Sequence, residues 1–200
     1  MSSRTHSDAG VDPGREKSAG VSDLETMLRE SANSQKVCLK LAKILHVRHD
    51  EIALLRLEHG SLRFIVPARL RAAGFIPLTS TAVAARTAAT RTPLLSNSFA
   101  RVRHVSLFES VKLGAEEDSE GTEQLPIQKI ISVPVAQSDG HVLGVVQVSR
   151  KGLDSSLAGA DFTGEDLQQV EDAAELLARM PFMQEDAPLE EGTPLEESDT

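Results

Sequence analysis

IQKIISVPVAQSDGHVLGVVQVSRK, residues 127–151, decides the fold. Two runs rich in Ile and Val flank Asp139-Gly140, a dipeptide that suits tight turns because glycine takes left-handed backbone angles without steric penalty. The stretch predicts a β-hairpin. Pro134 lacks an N–H for a neighbouring strand, so it belongs at a sheet edge or a bulge. Toward the N-terminus, EIALLRLEHGSLRFIV (residues 51–66) repeats the arrangement, with Glu58-His59-Gly60 as its turn signal. On the other side, Phe162-Thr163-Gly164-Glu165-Asp166-Leu167 opens a helix. Thr163 is its N-cap, Asp166 sits at the third helical position, and Phe162 and Leu167 form a hydrophobic staple. Leu167, Val170, Ala174 and Leu177 then give the buried stripe.

The remaining elements fall around these. Ser22-Asp23-Leu24-Glu25 is a capping box. Leu24, Met27 and Leu28, then Val37, Cys38, Leu41, Ile44 and Leu45, continue at helical spacing. The weakly patterned Ser31, Asn33 and Ser34 allow a break between the two halves. Leu78–Arg91 reads as a short Ala-rich helix with Thr79 or Ser80 as N-cap. Pro93 ends it and starts a short strand at Leu94-Leu95. Val105–Leu113 reads as a further short helix, followed by an acidic loop. The order helix, hairpin, short helices, hairpin, helix predicts an α+β domain, an antiparallel sheet with helices packed on it. Residues 22–182 are assigned to this domain. Residues 1–21, rich in Ser, Gly, Asp and Lys, are expected to be disordered. Residues 183–200 carry seven acids and no base, an acidic tail.

From about Ser34 to Met180 the chain resembles a GAF domain. IISVPV resembles that family's strand with a Val-Pro pair, GVVQVSRK its next strand, and FTGEDLQQVEDAAELLA its closing helix. The resemblance implies a GAF/PAS-like antiparallel sheet flanked by helices, with the N- and C-terminal helices packed together on one side. Cyclic-nucleotide-binding members carry a diffuse Asn-Lys, Phe, Asp-Glu signature. Lys151, Phe162 and Asp166 match it; Arg150 replaces the Asn and Leu167 the Glu. By resemblance, Lys151 and Asp166 would pair and brace a pocket wall. Read locally, Asp166 completes a capping box and Phe162 a staple. The pocket cysteines of bilin-binding and methionine-sulfoxide-reducing relatives have no counterpart here. The family's terminal helices often form a dimer bundle, for which Leu24, Met27, Leu28 and Leu41, with Leu177 and Met180, are the available residues.

Composition narrows the function. The chain is 200 residues long and 40% hydrophobic, with 3% aromatics and neither Trp nor Tyr. Stacking walls for a flat ligand are therefore confined to Phe64, Phe75, Phe99, Phe108, Phe162 and Phe182. The single cysteine, Cys38, excludes an internal disulfide framework and a cysteine-based zinc site. Residues 1–20 have no apolar core like that of a secretory signal. No apolar run approaches the roughly 20 residues that span a bilayer. A cytoplasmic protein without membrane association is expected. The net charge of −9 opposes nucleic-acid binding. Yet between Arg56 and Arg103 there are eight arginines against one acid, Glu58.

That basic middle holds the candidate site. A helix start near Ser80 and Thr81 offers free N–H groups to an anion, and Arg86 and Arg91 offer bidentate donors. The competing reading is a solvated basic surface. His104 lies where it approaches a pocket in this family and could ligate haem iron, although a lone histidine is more often a surface group. His46, His49 and Asp50 have metal-like spacing but fall where the first helix should end; no metal site is assigned. Cys38 occupies an apolar helical position and reads as packing. No catalytic constellation emerges, and the sequence names no cofactor. The expectation is a non-enzymatic sensory domain that binds a small anionic ligand and signals in trans through a homodimer or a separate signalling protein. The alternative is a ligandless interaction module. A sulfoxide-reductase-type enzyme is disfavoured by the single cysteine.

Overall fold

The computed structural model describes Thr26, residues 33–101 and residues 125–184. The expected capping box at Ser22, the helix at Val105–Leu113, His104 and the N-terminal segment lie outside these residues.

Six strands form one antiparallel sheet: β1 (Ile52–Glu58), β2 (Ser61–Val66), β3 (Phe75–Pro77), β4 (Leu94–Ser96), β5 (Ile127–Ala136) and β6 (Val142–Lys151), in the order β3-β2-β1-β6-β5-β4. Both predicted hairpins are present. His59 and Gly60 turn β1 into β2, each with positive φ (47° and 76°), the geometry a two-residue hairpin turn needs. The β5–β6 connection is longer than a bare Asp139-Gly140 turn. The Gly140 N–H donates to Gln137 O (2.9 Å), and the Gln137 N–H donates to His141 O (2.9 Å). Gly140, at φ +85°, follows the turn rather than centring it. Pro134 pairs with Val145 on one flank. On its other flank β4 reaches only Ile130–Ser132, so the proline sits at a local edge.

Among the described residues, three helices cover the sheet: α1 (Ser34–Ile44), α2 (Val83–Thr90) and α3 (Gly164–Leu177). The weakly patterned stretch before α1 is where it begins, with the Asn33 Oδ1 accepting from the Lys36 N–H (2.9 Å). α3 opens on the expected capping box. The Thr163 Oγ1 accepts from the Asp166 N–H (3.1 Å), and the Asp166 Oδ2 accepts from the Thr163 N–H (2.7 Å). Phe162 and Leu167 both join the core there.

Strand side chains alternate between faces. Leu54, Ile131, Val133, Val146 and Val148 point to α1 and α3, with Leu41 and Leu177. Leu55, Leu62, Phe64 and Val145 point to α2, with Ala84, Ala85 and Ala88. Because both faces are covered, β1 and β6 read as nearly continuous apolar runs rather than alternating ones. Each buried Leu, Ile or Phe contributes roughly 1.5–3 kcal/mol. α1 and α3 pack together on one side, as expected. Leu41, Leu177 and Met180, assigned above to a dimer bundle, are each 1% exposed and line an intramolecular crevice with Val37, Ala173 and Leu176. They are spent inside the chain.

The tail boundary moves. Met183 is fully buried and closes a 3-10 turn, Pro181–Met183, so the domain extends to at least Gln184. No helix among the described residues is long and apolar enough to cross a membrane.

Candidate ligand-binding site

α2 starts later than its sequence suggested. Neither Thr79 nor Ser80 is its cap; Ala82 is, and it provides no side-chain cap. The Ser80 N–H is already committed to Pro77 O (3.0 Å), which bends the chain before the helix begins. Burial of Ala82, Val83, Ala84 and Ala85 fixes the start instead, since alanines let the helix approach the sheet closely.

Two features of this start suit an anion. The N–H groups of the first turn lack a side-chain cap and carry the positive end of the helix dipole. The Ser80 Oγ is shielded from solvent with no hydrogen-bond partner. Leaving such a hydroxyl unsatisfied costs about 1–3 kcal/mol. Thr81 is exposed beside it. Arg86, one turn into α2, is exposed, and helical side chains lean toward the N-terminus. Arg91 does not belong with these residues. It ends α2 in a left-handed conformation (φ 56°), separated from the start by about 12 Å of helix. Its guanidinium lies against Gly140 in the β5–β6 turn.

Beneath α2 lies a polar group that sequence reasoning missed. The Thr87 and Ser132 hydroxyls are 2.9 Å apart, and the Gln147 Nε2 donates to the Ser132 Oγ (3.1 Å). All three residues are buried. Ser132 and Gln147 face each other across β5 and β6. The available signal was a lone polar residue in each apolar run, IISVPV and VVQV.

The Lys151–Asp166 brace is not formed. The Lys151 Nζ donates to Asp50 O (2.7 Å) and to the Asp50 Oδ2 (3.3 Å), while Asp166 is committed to capping α3. Burial pushes the Asp50 carboxyl up, but the Lys151 and Arg48 charges outweigh it and hold the group below its ordinary value. Phe162 is core. The Asn97 side chain brackets its backbone, donating to Phe162 O (2.9 Å) and accepting from its N–H (2.8 Å). Arg150, in the place of the family's Asn, stacks on the Phe162 ring at 4.8 Å and donates to His46 O (3.3 Å). That joins β6 to the end of α1.

His46 leaves α1 with φ 50°, and His49 opens the next 3-10 turn, so the two rings share no helical face. No group of three or more His, Cys, Asp or Glu among the described residues is placed to hold a metal. Cys38 is buried, which pushes its thiol up to about 12. An open cleft of about 630 Å³ between the β5–β6 turn and the end of α3 is lined by Asp139, Glu175 and Arg179. It includes none of the candidate residues.

Comparison with known proteins agrees with this architecture. The GAF domain of a phosphoenolpyruvate-protein phosphotransferase from Coxiella burnetii superposes with a TM-score of 0.63 at 13% identity, over 84% of this chain and 94% of that one. The corresponding Acinetobacter domain gives 0.60 at 10% identity, over 82% and 90%. The fRMsr of Staphylococcus aureus gives 0.52 at 13% identity, over 82% and 94%. At these identities the likeness shows the fold alone. No curated protein matches the chain. The family model for the GAF domain matches residues 30–180, and the chain therefore belongs to the GAF domain family.

Proposed function

We propose that the protein is a non-enzymatic sensory domain that binds a small anionic ligand at the start of α2 and signals in trans through a dimer or partner surface. The buried, unpartnered Ser80 hydroxyl carries this reading. It sits beside an uncapped helix start, with Arg86 one turn away. A ligand oxygen there would satisfy the hydroxyl and meet the helix dipole together. Thr87, Ser132 and Gln147 supply a polar patch under the same helix. Sulfoxide-reductase chemistry of the kind found on this fold needs a reactive thiolate. The only cysteine is buried with its pKa raised, which supports a non-enzymatic role.

The alternative, a ligandless interaction module, draws on the dense packing of the same face by Leu55, Leu62, Phe64, Ala85 and Val145. A thermal-shift panel of phosphate and small carboxylates separates the two. A ligand at 100 times its dissociation constant stabilises by about 2.7 kcal/mol. Ser80→Ala and Arg86→Ala should each remove the response while the unliganded protein still melts cooperatively. A hit that both variants retain places the ligand elsewhere, and a flat panel favours the interaction module.

A further inference from the structure

After α3 the chain does not run on into solvent. Met180 adopts an extended conformation (φ −82°, ψ 138°), and Pro181 stops the helix from continuing. Pro181–Gln184 then folds back onto the sheet. Met183 is fully buried, Phe182 nearly so. Two features on neighbouring strands receive this segment. Arg56 of β1, itself 3% exposed, donates through its Nη1 to Phe182 O (3.1 Å) and Gln184 O (3.1 Å). Its Nε donates to the Glu58 Oε1 (2.8 Å), which orients the guanidinium. Directly opposite Arg56 on β6 is Gly144. A Cβ there would come within 2.8 Å of the Met183 Cε, so the absent side chain is the socket for Met183.

The clamp is unusual in what it grips. A buried arginine is costly unless its donors are satisfied, and here a single four-residue segment 126 residues away supplies two of the acceptors. Its other hydrogen bonds are short-range, from the Met183 N–H to Met180 O (3.0 Å), the Gln184 N–H to Pro181 O (3.1 Å) and the Gln184 Nε2 to Ala178 O (3.4 Å), while Phe182 and Met183 join the core. Arg56 also alternates along β1 with Leu55 and Leu57, which face α2 on the other side of the sheet.

We propose that Pro181–Gln184 is a strap, held shut by Arg56 and the Gly144 socket, that releases as a unit from an otherwise folded domain. Release uncovers Phe182, Met183 and the vacated socket as a new apolar surface. β1 is then the mechanical link, because a shift of Leu55 or Leu57 moves Arg56 between them. What would drive that shift rests on the ligand reading above; the strap itself does not.

Arg179 makes the test simple. It is the only Arg or Lys after Lys151 in the chain, so trypsin cutting there gives one fragment, Met180–Thr200. Full-length wild-type protein, Arg56→Met and Met183→Ser are digested under native conditions, and the fragment is timed by mass spectrometry. Circular dichroism monitors the folded core at the same temperature. The expected result is slow release from the wild type and at least tenfold faster release from both variants, with the sheet signal intact. Arg179→Gln should yield no fragment. Equal rates in wild type and both variants overturn the proposal. So does immediate cutting of the wild type, or fragment release that only accompanies loss of the core. If Arg56→Met fails to fold, Met183→Ser decides alone.

Discussion

Gly144→Ala and Gly164→Ala are the same chemical change with opposite expected signs. At Gly144 the added methyl would overlap the Leu55 carbonyl oxygen and press on the Met183 Cε. The methionine can move, but the carbonyl belongs to β1 in the middle of the sheet and cannot move without parting β1 from β6. Overpacking of this kind typically costs 1–3 kcal/mol, and a backbone obstacle places it at about 3 or beyond. For a chain of this size each kcal/mol lowers the melting temperature by about 2–4 °C, so a fall of about 6–12 °C is expected. At Gly164, in the first turn of α3, a new Cβ meets nothing within 4 Å. There the loss of unfolded-state freedom should stabilise by about 0.4–1 kcal/mol. Thermal melts of both variants, monitored by circular dichroism, give the two shifts side by side. A Gly144→Ala protein melting within about 2 °C of wild type would refute the close β1–β6 approach. A destabilised Gly164→Ala would refute the open helix start.

Ser132→Ala should cost about 1–3 kcal/mol, because it strands the Thr87 hydroxyl and the Gln147 amide together; urea titration measures it, and a neutral outcome would mean that solvent reaches the group. Thr163→Ala should cost about 1 kcal/mol by opening the α3 cap, read by the same titration. Asp50 has a depressed folded pKa, so its contribution to stability is present above the unfolded value of about 3.9 and is lost as pH falls through the folded one. Lys151→Met removes the larger opposing charge, so the stability difference between pH 7 and pH 3 should shrink relative to wild type. The Cys38 thiol should react with a disulfide reagent only after unfolding, and rapid labelling of the native protein would contradict its burial.

What the sequence made legible was local. The two hairpins and the α3 cap are written in residues a few positions apart and are present in the fold, although the β5–β6 turn centres one residue before Gly140; Phe162 and Leu167 both reach the core. Asp166 is instructive: its short-range capping chemistry prevailed over the long-range pairing with Lys151 that family resemblance implied. Thr79 and Ser80 have the chemistry of caps, whereas burial of the following alanines sets the start of α2 at Ala82. Arg91 is near Ser80 in sequence, but the length of α2 separates them. Thr87, Ser132 and Gln147 become one group only when strand register is known. Arg56 looked like one more arginine of a basic stretch, since its acceptors lie at the far end of the chain.

The strand order has a consequence for solubility. β3 and β4, at the two rims of the sheet, are three residues long, and each rim is marked by proline: Pro77 ends β3, Pro93 precedes β4, and Pro134 stands where β5 outruns its neighbour. An intruding strand finds few successive N–H and C=O groups to pair with on either side. Short rims interrupted by proline disfavour growth of the sheet by edge-to-edge addition, and the apolar central strands β1 and β6 are paired along both sides.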